Sequence, residues 1–182
     1  HIKWVKFSGA SWTRDGRGFY YSAYDAPKEG DGVYSAQNTN QKVYFHRLGT
    51  KQEEDILIFE DKKNPLHYHH GDESEDGKWL FVTSSAGTSG TQVLYKRTSE
   101  RKWRTLFKGF DYDYYILDCY KDELMVMTND NAANYRLVGV NLATGKQYDI
   151  IPEGSSLLEA VGMAGDYLFA EYLIDAQNKI FQ

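Results

Sequence analysis

The residues whose types and spacing could do chemistry form four groups. Gly87-Thr88-Ser89-Gly90-Thr91 comes nearest to a serine nucleophile elbow. That motif needs Gly-x-Ser-x-Gly on a strained strand-to-helix turn, which lifts the hydroxyl into the open. Here the second glycine comes one place early, and the segment reads as a polar hairpin loop with no helix after it. His67-Tyr68-His69-His70 offers closely spaced imidazoles, a ligand type suited to Zn²⁺ or Cu²⁺. No cysteine stands nearby, and Asp72, Glu73, Glu75 and Asp76 read as a solvated turn, so these histidines are expected to be structural. Paired carboxylates do acid–base work when burial separates their pKa values, but most Asp and Glu here adjoin Gly, Lys or Asn in predicted turns. Cys119, within Tyr115-Ile116-Leu117-Asp118-Cys119-Tyr120, reads as a small buried hydrophobe. The expectation is a chain with no catalytic residue, no metal site and no cofactor.

Positioning any site falls to strands. The 182 residues hold 15 Tyr, 9 Phe and 4 Trp against 3 Pro, and aromatic side chains fit the pleated, packed surface of a sheet. Apolar residues make up 41% and charged residues 26%, which excludes a disordered tail and suits a chain with a substantial core. The net charge of −5 argues against a nucleic-acid partner, since phosphate binding needs clustered Lys and Arg. No apolar run is long enough to span a bilayer as a helix. With one cysteine, no disulfide can close within the chain. No signal peptide is read at the start. Both ends read as strands cut within a longer chain, and the cytoplasm is placed ahead of the periplasm as the compartment.

A turn followed by an apolar burst recurs four times. Asp15-Gly16-Arg17-Gly18 leads into Phe19-Tyr20-Tyr21, and Asp76-Gly77-Lys78 into Trp79-Leu80-Phe81-Val82. Lys121-Asp122-Glu123 leads into Leu124-Met125-Val126-Met127, and Gly165-Asp166 into Tyr167-Leu168-Phe169-Ala170. Leu80, Leu124 and Leu168 fall 44 residues apart. Second strands follow at 43–48, 93–98 and 137–142, and third strands at 55–60, 103–107 and 147–151. The stretch from Asp25 to Gln41, rich in Gly, Asn, Ser and Asp, reads as an exposed excursion between the first two strands. Four strands in about 44 residues is the period of a propeller blade. The bursts are continuous rather than alternating, as a strand buried on both faces requires. A β-sandwich would also show short strands at even spacing, but the recurring turn and burst favour the propeller. The fold class is all-β: about four blades of four antiparallel strands, with repeat units of roughly 10–60, 70–108, 113–152 and 156–182.

Several stretches resemble the prolyl oligopeptidase family in the same order: Ser11 to Tyr21, Gln41 to Thr50 running on through Glu54 to Leu57, Asn64-Pro65, Ser74 to Lys78, and Asn134 to Leu137. The resemblance implies a seven-bladed propeller over an α/β-hydrolase domain that cleaves short peptides after proline. The propeller limits which peptides reach the serine. On that basis residues 1–182 form part of the propeller and the hydrolase domain, with its Ser, Asp and His, lies outside them. The partners implied are short proline-containing peptides and that hydrolase domain.

The resemblance also implies site residues. Thr128 to Arg136 aligns with a family segment reading Thr-Asn-Arg and then Ser-Pro-Asn-Tyr-Arg, whose arginine reaches bound peptide. This chain has Asn129 followed by Asp130 there, and an aspartate cannot donate to a peptide carbonyl. Asp61 to His70 aligns with a cavity-facing loop whose aromatic contact falls on Asp61. Asp61, Asn129 and Asp130 are therefore the expected substrate-lining positions. The rival reading is a stand-alone propeller that binds a protein partner. Continuation of the reading frame past Gln182 into further blades and a Gly-x-Ser-x-Gly segment separates the two. A propeller fragment is also expected to self-associate through exposed blade faces carrying residues such as Phe19 to Tyr21 and Tyr167 to Ala170.

Overall fold

The structure, a computed structural model, describes residues 1–27 and 38–182. The chain divides into two compact units, His1–Phe110 and Asp111–Gln182. Each is made of antiparallel sheets in which strands pair in chain order. In the first unit, β1 (Ala10–Trp12), β2 (Gly18–Ala23), β3 (Lys42–Arg47) and β4 (Ile56–Glu60) form one sheet. A second holds β5 (Tyr68–Glu73), β6 (Trp79–Ser85), β7 (Thr91–Arg97) and β8 (Arg104–Phe107). In the second unit, β9 (Tyr114–Tyr120), β10 (Glu123–Thr128), β11 (Arg136–Asn141) and β12 (Gln147–Ile151) form a four-stranded sheet. There β13 (Leu157–Ala164), β14 (Tyr167–Ile174) and β15 (Gln177–Phe181) form a three-stranded one.

The apolar bursts are the second strands. Tyr20, Tyr21, Trp79 to Val82, Leu124, Val126 and Met127 are all buried, on both faces of their strands as the continuous runs predict. In the fourth burst, by contrast, only Ala170 is buried and Tyr167 is exposed. The turns before β2 and β6 are copies of one another. In each, a hydroxyl residue (Thr13, Ser74) accepts an amide hydrogen bond from a glycine three places on. Its own hydroxyl donates to an aspartate, Asp15 or Asp76, and its amide reaches across the hairpin to Gly18 or Trp79. The glycines, Gly16 and Gly77, have φ of +66° and +69°, which the turn requires and a Cβ resists.

A second repeat lies in the ladders. The register between third and fourth strands shifts at Val43/Tyr44, at Val93/Leu94 and at Leu137/Val138. Val43, Val93 and Leu137 have no exposed surface at all. Each four-stranded sheet thus carries a bulge at the same place, where its third strand is most deeply packed.

The two cores differ in what holds them. In the first unit Tyr20, Val43 and Leu80 pack with Phe45, Ile58, Phe59 and Trp103. Side-chain hydrogen bonds also stitch β5 to the neighbouring sheet. Tyr20 Oη donates to Glu73 at 2.9 Å, the Gln41 side-chain oxygen accepts from the His69 amide at 2.6 Å, and the Ser11 and Ser22 hydroxyls reach Asp72 and the His69 carbonyl. In the second unit the core gathers on Met127, Leu137, Leu158 and Ala170.

Two expectations need amending. Of the predicted excursion at 25–41, residues 28–37 lie outside the described residues, and its last residue is no loop tip. Gln41 is 1% exposed, because its amide bridges the Lys6 carbonyl and the His69 backbone. The burst Phe19 to Tyr21 forms no exposed face either, since Tyr20 and Tyr21 turn into the core. Trp12 on β1 is the exposed aromatic beside them.

Candidate functional site

The best-built polar constellation lies in the second unit, on the connection from β10 to β11. Thr128, buried at the end of β10, accepts the Asp130 amide on its hydroxyl oxygen. Asn129 Oδ1 accepts the Asp113 amide at 2.7 Å, and its carbonyl accepts from Ala132. Asn134 anchors the far side, its amide donating to Glu153 and its side chain to the Gly154 carbonyl. Asn131 and Tyr135 are held at φ of +50° and +61°. Left-handed backbone is uncommon for an aromatic residue and persists only where its surroundings fix it. Tyr135 is fixed at both ends of its side chain: its ring stacks on Tyr115 with centroids 6.4 Å apart, and its hydroxyl donates to Asp113 at 2.6 Å.

Two tyrosines of β9 are sorted by the strand's period of two. Tyr114 turns to the Asp130 side, donating its hydroxyl to Asp130 at 3.0 Å. Tyr115 pairs with Met127 across the ladder and faces the stacked ring of Tyr135. Burial first, and then the carboxylate each one bonds, pushes the Tyr114 and Tyr135 phenols well above their ordinary range, so both remain donors. Beside this pair opens a slot of about 440 Å³, lined by Tyr115, Met127, Tyr135, Leu157, Leu158 and Glu159.

Asn129 and Asp130 share this loop, whereas Asp61 belongs to the first unit. It follows β4 and closes a local turn, accepting the Lys63 amide and the Asn64 side chain. Burial alone raises its pKa, but these hydrogen bonds outweigh it and hold the carboxyl below the usual range. The neighbouring histidines go three separate ways. His69 is buried, its Nδ1 at 2.8 Å from Ser84 Oγ and its ring edge-on to Phe59. His67 packs against Phe110, and His70 is exposed on the opposite face of β5 from His69. Among the described residues no three His, Cys, Asp or Glu side chains are placed to hold one metal ion. Ser89 sits exposed between β6 and β7, on a connection that runs from strand to strand. Gly90 after it has φ of +76° and lies against the Phe110 carbonyl. Cys119 is buried within β9.

A wider cleft of about 690 Å³ opens in the first unit by the turns at Thr13 to Arg17 and Asp76-Gly77. On its charged rim Arg14 pairs with Glu75 and Arg17 with Asp15, while Arg47 is exposed. The residues missed from the sequence are Asp113, Tyr114 and Tyr115. The alternation Asp111-Tyr112-Asp113-Tyr114-Tyr115 is their only mark, and it precedes the turn and burst of its repeat unit.

Sheets of antiparallel strands paired in chain order, with a repeated entry turn and a repeated bulge, are the blades of a β-propeller. The chain belongs to the prolyl oligopeptidase family: the model described as the prolyl oligopeptidase N-terminal beta-propeller domain matches residues 1–182. It is 38% identical over 182 residues to a prolyl endopeptidase of Elizabethkingia miricola, covering 98% of this chain and 25% of that protein. It is 30% identical over 191 residues to the dual function macrocyclase-peptidase POPB of Amanita bisporigera, covering 99% of this chain and 26% of that protein. Prolyl oligopeptidase B from Galerina marginata, solved with a 35mer hydrolysis and macrocyclization substrate, superposes with a TM-score of 0.91 at 29% identity. That match covers 99% of this chain and 26% of the solved one. The chain spans about a quarter of the length of the relatives it matches. Among the described residues no helix is long and apolar enough to cross a membrane.

Proposed function

We propose that this chain is the substrate-gating portion of a proline-specific serine endopeptidase acting on short peptides, and that it is inert by itself. The observation that carries the reading is the family match across residues 1–182, joined to relatives that are prolyl endopeptidases. The chemistry lies in a separate α/β-hydrolase domain, and the blades limit which peptides reach it. The repeat units at 10–60, 70–108, 113–152 and 156–182 act as successive blades of that gate.

Asp61, Asn129 and Asp130 line the peptide's path. Asp130 cannot donate to a peptide carbonyl and is already engaged with the Tyr114 hydroxyl. It therefore acts by holding Tyr114 and its loop in place, where the family's arginine would reach peptide directly. Taken alone, the chain also self-associates, through apolar surface on the β13–β15 sheet.

Two proteins compared on one reporter test this. The full-length protein cleaves a Gly-Pro-anilide peptide, with kcat/KM falling as proline-containing peptides grow longer, and the 182-residue chain gives no turnover between pH 5 and 9. Turnover by the chain alone that is blocked by a serine-directed phosphonate would refute the reading. So would a full-length protein that ignores proline.

A further inference from the structure

The slot beside Tyr135 has a composition that the turns and ladders do not explain. Its walls are the stacked rings of Tyr115 and Tyr135, and its floor is Met127 and Leu158, both buried. A pair of close, rigid aromatic rings presents a large apolar surface at little entropic cost, which is what anchors peptide side chains at interfaces. At 45% exposure Tyr115 keeps half its ring open to solvent even though it lines a cavity. The backbone at Tyr135 takes the left-handed conformation that brings its ring onto Tyr115 and its hydroxyl to Asp113.

The charge around the slot has one sign. Glu159 stands at its mouth, exposed, and makes no hydrogen bond or ion pair among the described residues. Asp113 takes the hydroxyl of Tyr135, and Glu153 holds the Asn134 end of the loop. Arg136, next in the chain to Tyr135, is already paired with Asp149. An apolar slot with an unpaired carboxylate at its rim complements an apolar side chain that has a basic neighbour.

We propose that this slot is an exosite of the intact enzyme: it seats an apolar or aromatic side chain from a cationic segment of the peptide substrate, with Glu159 pairing the adjacent Lys or Arg. This rests on the gating role stated above. It adds a preference for substrate sequence outside the proline being cut. The slot would then select peptides by what they carry, in addition to how long they are.

The test uses full-length protein and a short labelled peptide, proline-free, with one Phe between two Lys in a Gly-Ser background. Fluorescence anisotropy measures binding to the wild type, to Tyr115→Ala and to Glu159→Lys. Each variant is expected to weaken binding by about tenfold, the scale of losing one anchoring contact. A peptide with Glu in place of both Lys should bind Glu159→Lys more tightly than wild type, a charge swap that a merely structural role would not produce. A wild type that ignores the Phe-Lys peptide, or variants that bind it equally well, overturns the exosite. Hydrolysis of Gly-Pro-anilide by the same three proteins separates the two readings. If cleavage is normal in all three and binding ignores the slot, the exosite alone falls. If none cleaves the reporter but binding still follows the slot, the endopeptidase reading falls, and with it the exosite, and the slot is left as a binding site for cationic apolar peptides.

Discussion

Gly71 of β5 lies directly against Val43 of β3: a methyl group added to Gly71 would come within 2.6 Å of Val43 Cγ1. Val43 is fully buried and Tyr20 closes the other side, so neither neighbour has space to withdraw. Gly71→Ala should therefore destabilise the protein by about 1–3 kcal/mol, the usual cost of overpacking. Chemical denaturation measures it, and Val43→Ala in the same chain should recover part of the loss. An unshifted midpoint would mean that β5 does not cross Val43 this closely.

Gly77 should resist substitution for a different reason. Its φ of +69° is unfavourable for any residue with a Cβ, and worst for a β-branched one. Gly77→Val should cost about 1–3 kcal/mol, whereas Gly87→Val, on an open loop with nothing within 4 Å, should cost little. Equal effects of the two substitutions would contradict the turn geometry.

His69 should make stability pH-dependent. Burial lowers its pKa from the ordinary 6.5 to about 4, with nearby Asp61 opposing the shift and His67 adding to it. The unfolded chain then binds a proton between pH 6.5 and 4 that the folded one refuses. The neutral-histidine contribution is complete above pH 6.5 and is lost as pH falls to 4, amounting to about 3 kcal/mol. His69→Gln should flatten this part of the stability profile relative to wild type, measured by urea denaturation at several pH values. Parallel profiles would show that His69 protonates freely in the fold.

The strands carrying the apolar bursts were legible because burial on both faces leaves an unbroken hydrophobic run, and their entry turns because Asp-Gly demands a particular backbone. The first strands of the sheets were not. Tyr68 to Glu73 reads His-His-Gly-Asp-Glu after its tyrosine, with no apolar run, because β5 is held by polar stitching through Gln41, Ser22 and Tyr20. The burial of Gln41 was hidden for the same reason: a polar residue satisfied by two backbone groups looks like loop. Asn129 and Asp130 could be placed only through the family resemblance. Their partners Tyr114 and Asp113 come from another strand and its approach, and no local pattern joins them.

Light scattering should detect association of the 182-residue chain at micromolar concentration. Tyr167 and Ile180 are 58% and 67% exposed, and Met163, Leu173 and Phe181 add to the same sheet. Burying apolar surface of this kind contributes roughly 25 cal/mol per Å² before ordering costs. Charged substitutions at Ile180 and Phe181 should lower the apparent mass. A sharp peak at 21.0 kDa for the unaltered chain would count against association.

The repeated bulge decides which sheet borders are open to further pairing. A straight border presents a regular row of amide and carbonyl groups to any extended chain, and a bulge breaks that regularity by bending and twisting the strand. The ladders leading to β4, β8 and β12 are each interrupted where the third strand is most buried. The ladder from β14 to β15 runs without interruption from Ala170 opposite Phe181 to Ile174 opposite Gln177. In the 182-residue chain taken alone, the bulged borders of β4, β8 and β12 are poorer templates for an added strand than the regular ladder partner β15.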